Sequence, residues 1–191
     1  AAVWSLPTAP VGVTATAASG TGIDVAWTTT AQITYKIEHS TDNVTFSSEA
    51  DPATTPYSDT GLTIDTTHYY KVYAVNPSGT SPSSTVVSAT TFDYPSKPLN
   101  LILTPTITNL LEITLNWVVP ADQGGTAITY YYVERSVDNI IWNAHATITS
   151  PTRTHVDTTL TIGNTYYYRV IAENVVGKDP VDGYSATVEY Q

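Results

Sequence analysis

The same unit occurs twice along this chain, and that repetition constrains its fold more than any other feature. Ile23-Asp24-Val25-Ala26-Trp27 is matched by Ile113-Thr114-Leu115-Asn116-Trp117. Glu38-His39-Ser40-Thr41-Asp42-Asn43 is matched by Glu134-Arg135-Ser136-Val137-Asp138-Asn139, and Phe46 then answers Trp142. The longest match runs from Asp59 to Asn76 and from Asp157 to Asn174. Within it Leu62-Thr63-Ile64 answers Leu160-Thr161-Ile162, and Tyr70-Lys71-Val72 answers Tyr168-Arg169-Val170. An interval of about 90 to 98 residues in a chain of 191 makes two small domains.

Each unit breaks into short apolar runs of period two, separated by Pro, Gly, Asn and Asp, the pattern of strands in an antiparallel sandwich. Val11, Val13 and Ala15 alternate, as do Leu99, Leu101 and Leu103; Ile23, Val25 and Trp27 share one face, and so do Ile113, Leu115 and Trp117. Seven such runs fit in each half, enough to close two facing sheets. Thr, Val, Ile and Tyr suit a pleated, half-buried surface, and helix formers are scarce. The expected fold is all-β: two seven-stranded antiparallel β-sandwiches arranged end to end. The boundaries expected are an N-terminal extension over 1–5, a first domain over 6–92, a linker over 93–97 stiffened by Pro95, and a second domain over 98–191. Trp27, Tyr35, Ile37, Tyr70, Val72 and Ala74 should form one core, and Trp117, Tyr131, Val133, Tyr168, Val170 and Ala172 the other.

Both halves resemble fibronectin type III domains. The residues carrying the likeness are Pro10 and Pro98 before the first strand, Trp27 and Trp117 in the second, and Tyr35, Ile37, Glu38 and Tyr131, Val133, Glu134 in the third. Leu62 and Leu160 precede the sixth strand, which reads Val72-Tyr73-Ala74-Val75-Asn76 and Val170-Ile171-Ala172-Glu173-Asn174. The Thr-rich style and the Ser-x-Asp-Asn turn look most like tandem repeats of archaeal and bacterial surface proteins. The resemblance implies extracellular spacing and adhesion more than any single ligand.

In that family a Tyr stands six residues after the Leu and bonds back to the loop it closes. Tyr166 fits, but the first unit has His68. Either the imidazole imitates the hydroxyl, or His68 is a pH-sensitive weak point. His39, His145 and His155 read as scattered surface or half-buried residues without metal-ligand spacing, so no metal and no cofactor is expected. Gly124-Gly125 beside Asp122 reads as a flexible turn. Asn43-Val44-Thr45 is an N-glycosylation acceptor sequence in a turn, making Asn43 the glycan candidate. There is no Arg-Gly-Asp.

With 17 acidic and 7 basic residues the chain carries a net charge of -10, and no two cationic residues are adjacent, which argues against a nucleic-acid partner. Absence of Cys removes disulfides and thiol chemistry. No apolar run reaches the length of a membrane span. Ala1-Ala2 would suit the small-residue side of a signal-peptide cut. No nucleophile-base motif, carboxylate pair or phosphate-cradling loop can be assembled locally, so no catalytic residue is expected. These readings converge on a non-catalytic extracellular or cell-surface protein, structural or adhesive, in a surface layer, adhesin or filament. Its partners would be copies of itself or other surface proteins. The alternative is a spacer or carbohydrate-binding accessory region of a secreted polysaccharide-degrading enzyme. A receptor-like fragment that binds a protein ligand is a third reading.

Two contact regions follow from alternation and composition. If Tyr131 and Val133 point inwards, Tyr130 and Tyr132 point outwards beside Tyr167, Arg169 and Ile171. Such a patch has the make-up of a protein-contact face, although tyrosines packing on one another would look the same. Val3, Trp4 and Leu6 form an apolar stretch with no assigned partner in their own unit; it is either a tail or a strand that adds to a neighbour's sheet edge, giving self-association.

Overall fold

A computed structural model describes residues 4–31, 33–52, 54–106, 111–185 and 187–190. The chain divides into two compact units, Ala1–Phe92 and Asp93–Gln191. The first contains β1 (Thr14–Ser19), β2 (Gly22–Ala26), β3 (Thr34–Ser40), β4 (Ser47–Ala50), β5 (Tyr57–Thr60), β6 (Thr67–Asn76), β7 (Gly79–Thr80) and β8 (Val87–Thr90). The second contains β9 (Leu99–Pro105), β10 (Ile113–Val118), β11 (Tyr130–Ser136), β12 (Asn143–Thr149), β13 (Thr154–Asp157), β14 (Tyr166–Glu173) and β15 (Val188–Tyr190). Every pairing is antiparallel.

Each unit is built from two sheets. In the first, β1-β2-β5 faces β4-β3-β6, with β7 and β8 both paired to β6. In the second, β13-β10-β9 faces β12-β11-β14-β15. The inward residues of both sheets fill the space between them: Ile23, Val25 and Trp27 meet Tyr35, Ile37, Tyr70, Val72 and Ala74, all buried. Ile113, Leu115 and Trp117 meet Tyr131, Val133, Tyr168, Val170 and Ala172 in the same way. All twelve residues expected in the cores are there, because alternation over five or more residues leaves only one face that can be apolar. Val11, by contrast, precedes β1 and is exposed.

The seventh strand of the first unit is broken. Pro82 has no N–H to give to a ladder, and around it Ser81 and Ser84 keep the edge satisfied. Ser81 N donates to Ala74 O at 2.9 Å, while Ala74 N donates to Ser81 Oγ at 2.9 Å. Ser84 makes the same exchange with Val72, at 2.8 and 3.0 Å. In the second unit Ser185 and Val170 repeat it, at 2.8 and 2.9 Å.

The segment expected as a linker is bonded into the second unit. Asp93 N donates to Gly124 O at 3.0 Å, Ser96 N to Asp122 O at 2.9 Å, and Asn174 Nδ2 to Asp93 O at 2.7 Å. Gly124 therefore belongs to a fixed turn, not the flexible one expected. Its φ is +70°, and a Cβ there would lie 2.1 Å from Asp93 O.

Candidate contact face and buried polar layer

On the outer face of β11 and β14, the register sets Glu134 opposite Arg169, Tyr132 opposite Ile171 and Tyr130 opposite Glu173. Arg169 donates from Nε to Glu134 Oε2 at 2.8 Å. Its guanidinium carbon lies over two rings, 4.2 Å from the centre of Trp142 and 3.7 Å from that of Tyr184. Tyr184 in turn donates to Glu134 Oε1 at 3.3 Å. Tyr132 donates to Glu173 Oε2 at 2.5 Å, and Lys178 Nζ sits 3.3 Å from its ring centre. That bond to Glu173, with burial and the carboxylate charge behind it, pushes the Tyr132 phenol up to about 12. Tyr130 is 41% exposed beside it, the ring centres 6.3 Å apart. Tyr167 is half-buried on the same face.

Ile171 corrects the sequence reading. It points outwards by parity but is only 3% exposed, because residues 179–185 fold over it: Tyr184 bridges to it, and a Cβ on Gly183 would lie 3.1 Å from Ile171 Cδ1. Among the described residues, the one tyrosine pair on this face, Tyr130 and Tyr132, lies within a single strand. The face is tied by an arginine, a lysine and two glutamates whose roles alternation alone did not show. The first unit carries a smaller version: Lys71 Nζ lies 3.6 Å from the Phe46 ring centre, and Glu38 accepts from Lys36 at 2.9 Å and Tyr73 at 2.7 Å. Those two hydrogen bonds, Lys36 first, hold the Glu38 carboxyl below its ordinary value.

The expectation of scattered histidines is also corrected. His39 shares its parity with Tyr35 and Ile37, and His68 with Tyr70 and Val72, so both side chains enter one end of the core. His39 Nε2 and His68 Nδ1 are 2.7 Å apart, with the rings stacked at 4.9 Å. His68 does not take over the corner tyrosine's role. Tyr166 accepts from Thr161 N at 3.1 Å, as the resemblance implies, whereas in the first unit Thr91 ties the loop: Thr66 N donates to Thr91 Oγ1 at 3.1 Å, and Thr91 Oγ1 donates to Thr63 O at 2.7 Å. In the second unit His145 and His155 lie ring to ring at 5.2 Å. There Asp157 Oδ2 accepts from Tyr168 and Arg135, each at 2.8 Å, with His145 Nε2 at 3.2 Å. Burial alone would raise the Asp157 carboxyl, but hydrogen bonds from Thr159, Tyr168 and Arg135 hold it at about 2. Burial pushes His68, His145 and His155 below the ordinary imidazole value. Local spacing could not reveal these clusters, since their members come from different strands.

Of the apolar N-terminal stretch, Val3 lies outside the described residues. The main chain of Trp4 and Ser5 is bonded to its own unit: Ser78 Oγ donates to Trp4 O and Asn76 Nδ2 to Ser5 O, both at 2.7 Å. Leu6 is still 61% exposed. Asn43 is exposed in its turn with φ 58°, and Asp42 Oδ1 caps that turn by accepting from Val44 N and Thr45 N.

A three-stranded sheet facing a larger one in this order, with a tryptophan in each core, decides the fold, and the second unit adds a tyrosine-closed corner. Both units are fibronectin type III-like. No family model matches the chain. Human protein sidekick-1 is 38% identical over 87 residues, covering 45% of this chain and 4% of that protein. Exoglucanase B of Cellulomonas fimi is 28% identical over 180 residues, covering 90% of this chain and 15% of that protein. The solved FN1–FN3 domains of chicken CNTN1 match 97% of this chain and 64% of that one, with TM-score 0.46 and 15% identity. The fibronectin type III-like chain thus spans a small part of these curated relatives.

Proposed function

We propose that the chain is a non-catalytic extracellular structural or adhesive unit, of the kind found in archaeal and bacterial surface proteins, that works through protein contacts. The observation carrying this reading is the outer face of β11 and β14 in the second unit. Tyr132 and Arg169 are already fixed by Glu173 and Glu134, so a partner would lose little side-chain freedom in docking on them or on the neighbouring Tyr130 and Tyr167. The partner is a protein, another copy or a second surface protein, with the N-terminal stretch around Trp4 and Leu6 as a further self-association region and a glycan at Asn43. The test is sedimentation velocity on Tyr130→Ser/Tyr167→Ser, both positions solvent-facing. Loss of association with an unchanged melting temperature supports a contact face; association retained by this variant but lost on deleting residues 1–6 moves the contact to the N-terminal stretch.

The second reading, an accessory region of a polysaccharide-degrading enzyme, is favoured by the 90% of this chain that aligns with exoglucanase B. Retention on insoluble cellulose would support it, and free passage would count against it.

A further inference from the structure

We infer that the first unit holds a divalent transition cation, zinc by its ligand chemistry, between His39, Glu49 and Asp59. The inference goes beyond the contact-face reading and uses a different unit. One ligand atom from each of these residues lies within 4.8 Å of the other two. Nδ1 of His39 is the nitrogen facing the carboxylate, 3.9 Å from Glu49 Oε2.

The surroundings are those a metal-binding histidine and carboxylates need. A ligating imidazole is oriented by a hydrogen bond from its other nitrogen. His39 has one through Nε2 to His68 Nδ1, at 2.7 Å. His68 is 4% exposed, and its own Nε2 is buried with no partner, so this ring is held neutral inside the layer. Tyr70 donates to Asp59 Oδ2 at 2.8 Å and Tyr57 to Glu49 Oε1 at 3.2 Å, each leaving the second carboxylate oxygen for another contact.

The second unit shows what this place requires. The ladders put Asp157 where Asp59 stands, both opposite an isoleucine of the central strand. They put Arg135 where His39 stands and His145 where Glu49 stands. In the second unit one carboxylate therefore meets one guanidinium, at 2.8 Å. The first unit has exchanged the guanidinium for an imidazole and added a second carboxylate. Among the described residues, no Lys or Arg forms an ion pair with Glu49 or Asp59. Two carboxylates and one neutral nitrogen are balanced by a doubly charged ion, and a mixed nitrogen and oxygen set suits zinc better than calcium or magnesium. Ligand atoms around tetrahedral zinc are about 3.3 Å apart, given bonds near 2.0 to 2.1 Å. Glu49, exposed on the short edge strand β4, is the ligand free to close that gap.

Titration of zinc chloride into the intact chain, followed by calorimetry and by thermal unfolding, tests the site. One equivalent should bind and raise the melting temperature of the first unit. His39→Arg, which installs the second unit's own solution, should abolish binding and leave the fold intact. Glu49→Gln, at an exposed position, should weaken binding at least tenfold. His155→Ala in the second unit should leave zinc binding unchanged. Absence of a zinc-dependent shift in the wild-type chain overturns the inference. So does binding that survives both His39→Arg and Glu49→Gln, or binding that His155→Ala removes.

Discussion

Asp157 has a fully buried side chain, and its charge is kept by donors from Arg135, Tyr168 and Thr159. Removing one of them, in Arg135→Met, should cost about 2 kcal/mol, less than breaking a fully enclosed pair, because Arg135 is partly exposed and Tyr168 and Thr159 remain. Chemical denaturation of the variant at pH 7 checks this. The two kinds of titrating group act in separate pH windows. Asp157 is depressed in the folded state, so its contribution is complete above the unfolded value near pH 4 and is lost as pH falls towards about 2. His68, His145 and His155 are also depressed, but they are bases. The unfolded chain takes up their protons first, so stability is full above about pH 6.5 and declines as pH drops below it. A denaturation midpoint lower at pH 5 than at pH 7.5 is expected, and an unchanged midpoint would show that these rings do not carry the effect.

Among the elements, the interior of each strand was legible in the sequence and the segments that cover strands were not. Alternation placed Tyr35, Ile37, Tyr131 and Val133 correctly because a one-residue slip would turn every side chain in the strand over. It misjudged Ile171 because parity says which way a residue points and nothing of what lies above it, here Tyr184 and Gly183. His39 and His68 have the parity of core residues, but their cluster draws its members from four strands, and ligand spacing within one strand cannot show it. Loop fixation was hidden for the same reason. Gly124→Ala combines a left-handed backbone with a Cβ 2.1 Å from Asp93 O, so it must displace the segment around residue 93. Its expected cost exceeds the roughly 1 kcal/mol of backbone strain alone. Amide exchange at Asp93 and Ser96 should accelerate by more than at the β10 core; uniform protection would contradict this.

For the molecule as a whole, each unit has its own apolar cluster, so core damage should stay local. Trp27→Ala should destabilise the first unit by about 3 to 5 kcal/mol, comparable to the whole stability of a small domain. Calorimetry should then show the first transition lowered or lost and the second preserved; a scan identical to wild type would remove Trp27 from the core. The net charge of -10 sets a diffuse repulsion over both units that salt screens. Self-association, if it occurs through the tyrosine face, should therefore strengthen between about 0.01 and 0.15 M salt.

The interrupted seventh strand bears on how such a chain survives at high concentration. A continuous outer strand would offer a neighbour a row of free amides and carbonyls, the template from which fibrils grow. Here Pro82 removes a donor, and two serines turn their hydroxyls back on Ala74 and Val72 in the strand behind them. On that side of the sheet, crowded molecules have little backbone to recruit, and runaway stacking into amyloid would have to begin at another edge.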